Sequence, residues 1–288
     1  MNSSNCILSI IMPCFNHGKY IQDALDSIEP ENILYSFEVV IVDDGSTDTF
    51  TLSKLDELKK NGYKVIHQKN AGPAAARNKA IENSAGKYIL PLDADNKITS
   101  EYVNTGIEIL EKGEYQITYC TPLFFGDTGN GSRIFKSKQF DIDTMLEANY
   151  IDSCSIFLKE VWIKNKGYDE AIPHYGHEDW EFWINAFTNG FNFYFIKQKL
   201  FYYRIVSNSV VTQFKDDKKL QEDHVYIIKK HASLFHTQYL KLSYIKRKYI
   251  SDINRLFFSP FIFLGYKLNI IKSPFKKAED RFKKQTKG

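Results

Sequence analysis

Lys87-Tyr-Ile-Leu-Pro-Leu-Asp-Ala-Asp95 decides the fold: an apolar run delivers two aspartates, one residue apart, at its carboxyl end. Lys87–Leu92 reads as a strand, and Asp93-Ala94-Asp95-Asn96 as the loop that leaves it. Working outward, the same arrangement recurs. Ile7–Met12 is a short apolar run ending at Pro13-Cys-Phe-Asn16, and Tyr20, Ile21, Leu25 and Ile28 follow at helical spacing. Glu38-Val-Val-Ile-Val-Asp43 is apolar and β-branched without alternation, as in a parallel strand covered on both faces. It stops at Asp43-Asp44-Gly45-Ser46, after which Asp48 can cap a helix running to Lys60. Lys64–His67 is a third strand, and the alanine-rich Ala74–Asn83 a third helix. Strands alternating with helices imply a parallel sheet with right-handed crossovers.

After about residue 100 the periodicity weakens. A helix is expected over Tyr102–Lys112, a strand over Tyr115–Phe125 and a Gly-rich turn over Gly126–Gly131. Ile151–Leu158 and Phe191–Ile196 are further strand candidates, with a helix over Asp179–Thr188. This half reads as α+β material added to the first, without an internal repeat.

The 288 residues, 43% hydrophobic and 25% charged, have the balance of a globular protein with a well-buried core. The net charge of +3 hides a split. Residues 241–288 carry thirteen Lys/Arg against three Asp/Glu, and residues 1–240 carry 25 against 32. The acidic body argues against nucleic acid as a partner. Cys6, Cys14, Cys120 and Cys154 form no CxxC pair and are expected to be buried thiols in a reducing compartment. With no signal-peptide pattern and no apolar run of spanning length, a cytoplasmic protein is expected.

In open parallel sheets ligands bind beyond the carboxyl ends of the strands. Here three such ends carry polar groups, mostly carboxylates, and acids crowded on one rim need a cation or a hydrogen-bonding ligand. Asp93 and Asp95 suit Mg²⁺ or Mn²⁺, which take one or two protein carboxylates plus waters and phosphates. Asp44 fits two readings, an acceptor for a base N–H or an Asx turn closing its strand. Arg77, after Asn70-Ala-Gly-Pro73, fits a diphosphate partner or a surface salt bridge. Asp179 fits a favourable charge at a helix N-terminus, or a general base among Trp180, Trp183 and Phe187.

These segments, in this order, resemble the GT-A-fold glycosyltransferases of family 2. Ser9-Ile-Ile-Met-Pro-Cys-Phe-Asn16 is similar to the family's opening "SIIxPxYN", with Phe15 at the tyrosine position. Val40-Ile-Val-Asp-Asp-Gly-Ser-Thr-Asp48 matches "VxVDDGSTD", and Asn70–Asn78 resembles "NxGxxxARN". Gly86–Asp95 resembles the strand leading into the metal motif, and Gly167–Glu170 and Glu178-Asp-Trp180 resemble "GxDE" and "EDW". The resemblance runs from about residue 7 to about 205. It implies a Rossmann-like, mixed but mostly parallel α/β sheet flanked by helices, with a helical C-terminal extension. Residues 1–240 would form the catalytic domain, with 1–100 the nucleotide-binding half and 101–240 the acceptor-binding half. It also implies roles: Pro13 and Phe15 line the nucleoside pocket, Asp44 binds the base and Arg77 lies near the diphosphate. Asn16, Asp43, Asn70, Ala94 and Glu178 complete the donor pocket. Asp93 faces the ribose or the metal's water shell, Asp95 ligates Mn²⁺ or Mg²⁺, and Asp179 deprotonates the acceptor hydroxyl. The implied reaction is inverting transfer from a nucleotide sugar, a UDP-sugar foremost, to a glycan or lipid-linked acceptor in surface-polysaccharide assembly. Relatives place a metal-reaching histidine beyond "YR"; Tyr203-Arg-Ile-Val-Ser-Asn208 has none, which leaves His174, His177 or solvent to complete the shell. Two other readings use the same acids: a nucleotidyltransferase, for which Pro13–Gly18 is a poor phosphate loop, and a nucleotide-sugar-binding scaffold without catalysis.

Residues 241–288 lie outside the resemblance. Leu256-Phe-Phe-Ser-Pro-Phe-Ile-Phe-Leu264 is apolar, interrupted by Pro260 and flanked by Lys/Arg. It fits a peripheral contact with an anionic membrane on the inner face of the cell membrane, or packing on the body or on a second copy in a homodimer.

Overall fold

Strands buried on both faces need no alternation, and the first four strands show none. The computed structural model describes residues 6–127, 136–206 and 217–257. β1 (Leu8–Cys14), β2 (Phe37–Asp43), β3 (Lys64–His67) and β4 (Tyr88–Pro91) run parallel in the order β3-β2-β1-β4. Leu8, Ile10, Ile11 and Met12 of β1 are wholly buried, as are Val40, Ile41 and Val42 of β2. Between them run α1 (Gly18–Asp26), α2 (Thr49–Lys60) and α3 (Gly72–Glu82). Asp48 caps α2 by accepting the Thr51 N–H at 2.7 Å. After the two-residue β5 (Lys97–Ile98), Thr99 accepts the Tyr102 N–H to start α4 (Ser100–Glu111).

The second half departs from the expected strands in two places. Tyr115–Phe125 is not one strand but two, β6 (Ile117–Cys120) and β7 (Leu123–Gly126), in different sheets. Pro122 sits at the break, where it can donate nothing to a ladder. Of Ile151–Leu158 only β8 (Ile156–Leu158) pairs. The side chain of Asp152 accepts the Cys154 N–H, and its carbonyl accepts the Ser155 hydroxyl, so the local turn outcompetes the ladder. The chain continues through α5 (Ile142–Met145), α6 (Lys159–Asn165), α7 (Glu178–Thr188), β9 (Phe193–Ile196) and β10 (Phe201–Ile205). β8 joins antiparallel between β4 and β6, giving a mostly parallel seven-stranded sheet, β3-β2-β1-β4-β8-β6-β9. A small sheet, β5-β10-β7, lies apart from it in the pairing. The mixed, mostly parallel α/β class is as expected; the short β5 and β10 carry no periodic signal and were not foreseen.

α8 (Asp217–Lys230) completes the first of two compact units, residues 1–232. α9 (Ala232–Phe257) makes up the described part of the second, residues 233–288, and leaves Tyr239, Leu242, Ile245 and Tyr249 exposed. Among the described residues no helix is long and apolar enough to cross a membrane. Most of the expected turn Gly126–Gly131 and of Leu256–Leu264 lies outside the described residues. Cys14, Cys120 and Cys154 are buried thiols as expected, whereas Cys6 is only half-buried.

Gly86 shows how tightly β1 is covered. Its N–H donates to Ser9 Oγ at 2.8 Å, and a Cβ on it would lie 2.7 Å from the backbone carbon of Leu8 and closer still to the Ser9 nitrogen. Gly86→Ala is therefore expected to destabilise the fold by about 1–3 kcal/mol, the usual cost of overpacking. The check is a lower urea midpoint at unchanged slope.

Candidate active site

The parallel strands bring their carboxyl ends to one rim, and Asn16 laces the first two together. Its backbone takes φ +56°, a left-handed conformation that asparagine tolerates better than most residues. Its N–H donates to Ser46 Oγ, and its side-chain oxygen accepts the N–H groups of Thr47 and Asp48. Beside it Pro13 is half-buried and Phe15 is 44% exposed, a large apolar ring left facing solvent. Asp43 accepts the Ser46 N–H at 2.9 Å and meets His67 Nδ1 at 3.0 Å. Gly45, at φ +72°, lets Asn70 approach: a Cβ there would sit 2.6 Å from the Asn70 nitrogen.

Asp44 is only 4% exposed and is used by the chain itself. Oδ1 accepts from Gln68 Nε2 and the Ala71 N–H, and Oδ2 accepts the Gly72 N–H at 2.9 Å. It thereby satisfies donors at the start of α3, a helix whose own N-cap residue, Ala71, offers no side-chain acceptor. Each carboxylate oxygen has two lone-pair sites, so Oδ2 keeps capacity for one further donor.

α3 then carries Arg77 into the interior. Neither sequence reading of this residue anticipated its environment: it is buried, and it bridges two acids far apart in sequence. Its Nη1 lies 2.5 Å from Glu178 Oε1, and its Nη2 2.9 Å from Asp93 Oδ1 and 3.3 Å from Ser153 Oγ. Burial opposes the charge on Arg77, and Asp93 and Glu178 outweigh it, so the guanidinium stays firmly protonated.

Asp93 opens a tight turn in which its carbonyl accepts the Asn96 N–H at 2.9 Å and Ala94 is buried. Arg204 of β10 holds the other side. Its Nε donates to the Asp95 carbonyl, its N–H to Asn96 Oδ1 and its Nη2 to Asp23, while its guanidinium lies against the rings of Tyr20 and Phe125. With its backbone fixed, the Asp95 side chain remains partly buried. Burial pushes its carboxyl up to about 6, opposed by His17, whose Nδ1 is 3.9 Å away, and reinforced by Asp93.

The acids of the second half arrive from two directions. Because β8 is antiparallel to β4, in the register Tyr88↔Leu158 and Ile89↔Phe157, the segment before β8 returns to the rim where β4 ends. That places Ser153 Oγ 3.5 Å from Asp93 Oδ2, and next to it Asp152, whose carboxyl is pushed up to about 7 by burial and by Asp93. Asp179 stands in the first turn of α7, accepting from Asn149 Nδ2 at 3.0 Å and from the Trp180 N–H at 2.7 Å. Burial, with Glu178 beside it, holds its carboxyl well above the usual carboxylate range, and Arg77 opposes that. Burial also raises Tyr203, with Asp152, Asp93 and Asp95 around it.

Asp152, Ser153 and Arg204 were not singled out for this site from sequence. Asp152 stood at the head of a strand candidate, and an antiparallel reading of that strand would have sent it to the acidic rim.

A hard divalent cation suits this donor set. Asp95 presents an oxygen ligand whose ionisation burial disfavours, and a bound cation would offset that cost. Asp93 spends Oδ1 on Arg77, which leaves Oδ2 facing Ser153. Among the described residues no three His, Cys, Asp or Glu groups form a ready-made metal cluster. Mg²⁺-type sites need only one or two carboxylates when phosphates and waters supply the rest. His174 and His177 are engaged elsewhere, 2.8 Å from Glu222 and Asp223 respectively.

The profile of glycosyl transferase family 2 matches residues 9–165, more than half of the chain, and the chain belongs to that family. It is 25% identical over 208 residues to a Bacillus subtilis protein described as the putative teichuronic acid biosynthesis glycosyltransferase TuaG, covering 71% of this chain and 81% of that one. An uncharacterised glycosyltransferase of Rickettsia felis is 34% identical over 116 residues, which are 40% of this chain and 19% of that protein. Among solved structures, S. aureus TarS 1-349 in complex with UDP-GlcNAc is similar at TM-score 0.57 and 21% identity, covering 72% of this chain and 60% of that one. A Pyrobaculum calidifontis mannosyltransferase, PcManGT, in complex with GDP-Man and Mn²⁺, is similar at 0.57 and 16%, covering 79% and 66%. At these identities the solved structures establish a shared GT-A fold. The chain spans just under two thirds of their length.

A carboxyl raised from 3.8 to about 7 keeps a proton in the folded state that the unfolded chain has lost. Between those values the unfolded state binds fewer protons, so stability falls as pH rises. Chelator-treated protein is therefore expected to lose thermal stability from pH 4 to pH 7. Asp152→Asn is expected to flatten that fall, as measured by melting temperature across the range.

Proposed function

We propose that this chain is an inverting glycosyltransferase that moves a sugar from a UDP-sugar to a hydroxyl of a glycan or lipid-linked acceptor in surface-polysaccharide assembly. The observation that carries the reading is the convergence of Asp93, Asp152 and Asp179 around the buried Arg77, with Asp95 beside Asp93, at the carboxyl rim of a family 2 sheet. The similarity to TuaG, described as a putative teichuronic acid biosynthesis glycosyltransferase, and to TarS in complex with UDP-GlcNAc supports the polysaccharide setting and the donor class.

In this reading Pro13 and Phe15 line the base, and the remaining lone pair on Asp44 Oδ2 accepts its N–H. Asn16, Asp43 and Asn70 hold the loops that form the pocket wall. Asp93 faces the ribose, and its bond to Arg77 keeps it from swinging away. Asp95, with Asp93 behind it, would hold Mn²⁺ or Mg²⁺, which when bound neutralises charge on the departing diphosphate. Glu178 fixes the start of α7, so that Asp179 meets the acceptor. Asp179 takes the hydroxyl proton as the acceptor oxygen bonds to the anomeric carbon from the face opposite the diphosphate. The bond from that carbon to the leaving oxygen breaks with its electron pair going to UDP, and the configuration inverts. A carboxyl held above its usual range is a stronger base once ionised, so turnover should rise with pH as Asp179 loses its proton.

A thermal-shift panel of nucleotides and nucleotide sugars tests the donor class: stabilisation by UDP-sugars that requires Mn²⁺ supports it, and stabilisation by nucleoside triphosphates alone favours nucleotidyl transfer. Asp95→Asn is expected to abolish turnover and the metal-dependent part of UDP binding. Asp179→Asn is expected to lower kcat by about 10²–10⁴, the usual contribution of a positioned base, with UDP binding retained. Undiminished turnover in either variant removes that residue from the mechanism.

The proposed location is cytoplasmic and peripheral on the membrane. It rests on the exposed Tyr239, Leu242, Ile245 and Tyr249 of α9, which share a face, with Lys241 and Lys248 flanking it. Vesicles containing phosphatidylserine are expected to float the full-length protein, and Leu242→Glu combined with Tyr249→Glu to leave it at the bottom of the gradient. A protein that ignores anionic vesicles, or forms a dimer through this helix instead, overturns the membrane reading.

A further inference from the structure

We infer that Asp223, on α8, is a positioning residue for the transfer: it fixes the loop before α7 so that Glu178 and Asp179 are presented to the rim. The inference rests on Asp179 as the proposed base. Asp223 is wholly buried, and its carboxylate bonds two residues of one short segment. Oδ1 accepts the backbone N–H of His174 at 3.0 Å, and Oδ2 lies 2.8 Å from His177 Nδ1. One carboxylate thus grips both ends of the span His174–His177. Within that span Gly176 takes φ +110°, a conformation that other residues rarely adopt. Its N–H donates to Glu178 Oε2 at 2.8 Å, while Glu178 Oε1 holds Arg77, and Arg77 holds Asp93. Hydrogen bonds at both ends, joined by the four-residue backbone of the loop, therefore connect α8 to the aspartate turn after β4.

Two further contacts give the loop its direction. The ring of Tyr175, 53% exposed, lies so close over Gly72 that a Cβ there would overlap it. Gly72 is also the residue whose N–H Asp44 accepts, so the loop reaches from α8 to the start of α3, next to the proposed base pocket. α8 is a firm anchor for this reach. Near its carboxyl end Tyr226 and Lys230 bond Asp169, and Lys230 and His231 pair with the buried Glu181 of α7. The ring of His177 meets those of Trp180 and His224, which limits how the loop can turn when Asp223 is removed.

A residue that acts by presenting the base should affect turnover more than donor binding. Asp223→Ala is expected to lower kcat by about 10–100-fold, the scale of a misplaced catalytic group. UDP affinity with Mn²⁺, measured by calorimetry, should stay within about threefold of wild type. Hydrogen exchange should quicken at residues 174–180 and stay unchanged in β1 and β2. Asp223→Asn keeps one acceptor for the His174 N–H and should fall between the two. If the alanine variant does not fold, the asparagine variant carries the test with the same three measurements. Wild-type kcat in a folded variant, unchanged exchange at 174–180, or a loss of UDP affinity equal to the loss of kcat would overturn the inference. Asp179→Asn run alongside separates the two claims. Undiminished turnover there removes the proposed base whatever Asp223 does, whereas loss of turnover there with a normal Asp223→Ala removes only the positioning role.

Discussion

A cation buried in a protein must be paired, and Arg77 is paired twice, with acids from opposite halves of the chain. Asp93 lies 16 residues away and Glu178 101 residues away. Removing Arg77 leaves the buried Glu178 without its counter-charge, and breaking a buried pair in this way costs about 3–5 kcal/mol in comparable cases. The guanidinium therefore does more than stabilise. It requires the aspartate turn after β4 and the first turn of α7 to occupy fixed places relative to α3, and every proposed chemical group of the second half is referenced to it. A lysine would not serve as well, because a point charge cannot hold two carboxylates in a fixed fork.

That constraint explains why so many acids tolerate one another. Asp152 and Asp179 are raised chiefly by burial, and Asp93, Asp95 and Glu178 stand near them. In the folded protein the buried Arg77 relieves Asp152 and Asp179, while His17 and Arg204 oppose the rise of Asp95 and Arg204 also holds its backbone. Such an arrangement is tense without a ligand. A divalent cation with a diphosphate is the kind of occupant whose charges fit it, since the cation relieves the carboxylates and the phosphates complete the cation's shell.

Much of this was legible in the sequence, and the limit has a physical origin. β1, β2 and β4 are buried on both faces, so their apolar runs stand out and mark where the rim must be. Each run ends in the polar residues that the rim displays: Pro13–Asn16, Asp43–Ser46 and Asp93–Asn96. What stayed hidden depends on pairing between distant segments. Asp152 reaches the rim because β8 runs antiparallel, and strand direction leaves no trace in a three-residue strand. Arg204 matters because β10 pairs with β5, two residues long and without periodicity. Arg77 sits in a helix whose alanines allow close packing but do not say what the arginine will meet. Asp44 shows the reverse difficulty: its motif is plain, yet both its oxygens already serve the start of α3, so its capacity for a ligand is narrower than the motif suggests.

The family match ends at residue 165, before Glu178, Asp179 and Asp223. The proposed donor rim lies within the matched residues, although Glu178-Asp-Trp180 beyond them still resembles a family segment, and its bonds are mostly between neighbouring loops, as Asn16 with Ser46 and Asp44 with Gly72 illustrate. The proposed acceptor side is held by longer reaches: α7 to α3 through Glu178 and Arg77, and the loop before α7 to α8 through Asp223. A surface assembled from long-range clasps can change its shape without disturbing the sheet beneath it. That is the division expected of a transferase whose donor chemistry is shared across a family and whose acceptor is its own. On this view the choice of acceptor is sought in residues 169–180 and in α8, where the chain's own hydrogen bonds, rather than the sheet, decide what the rim can admit.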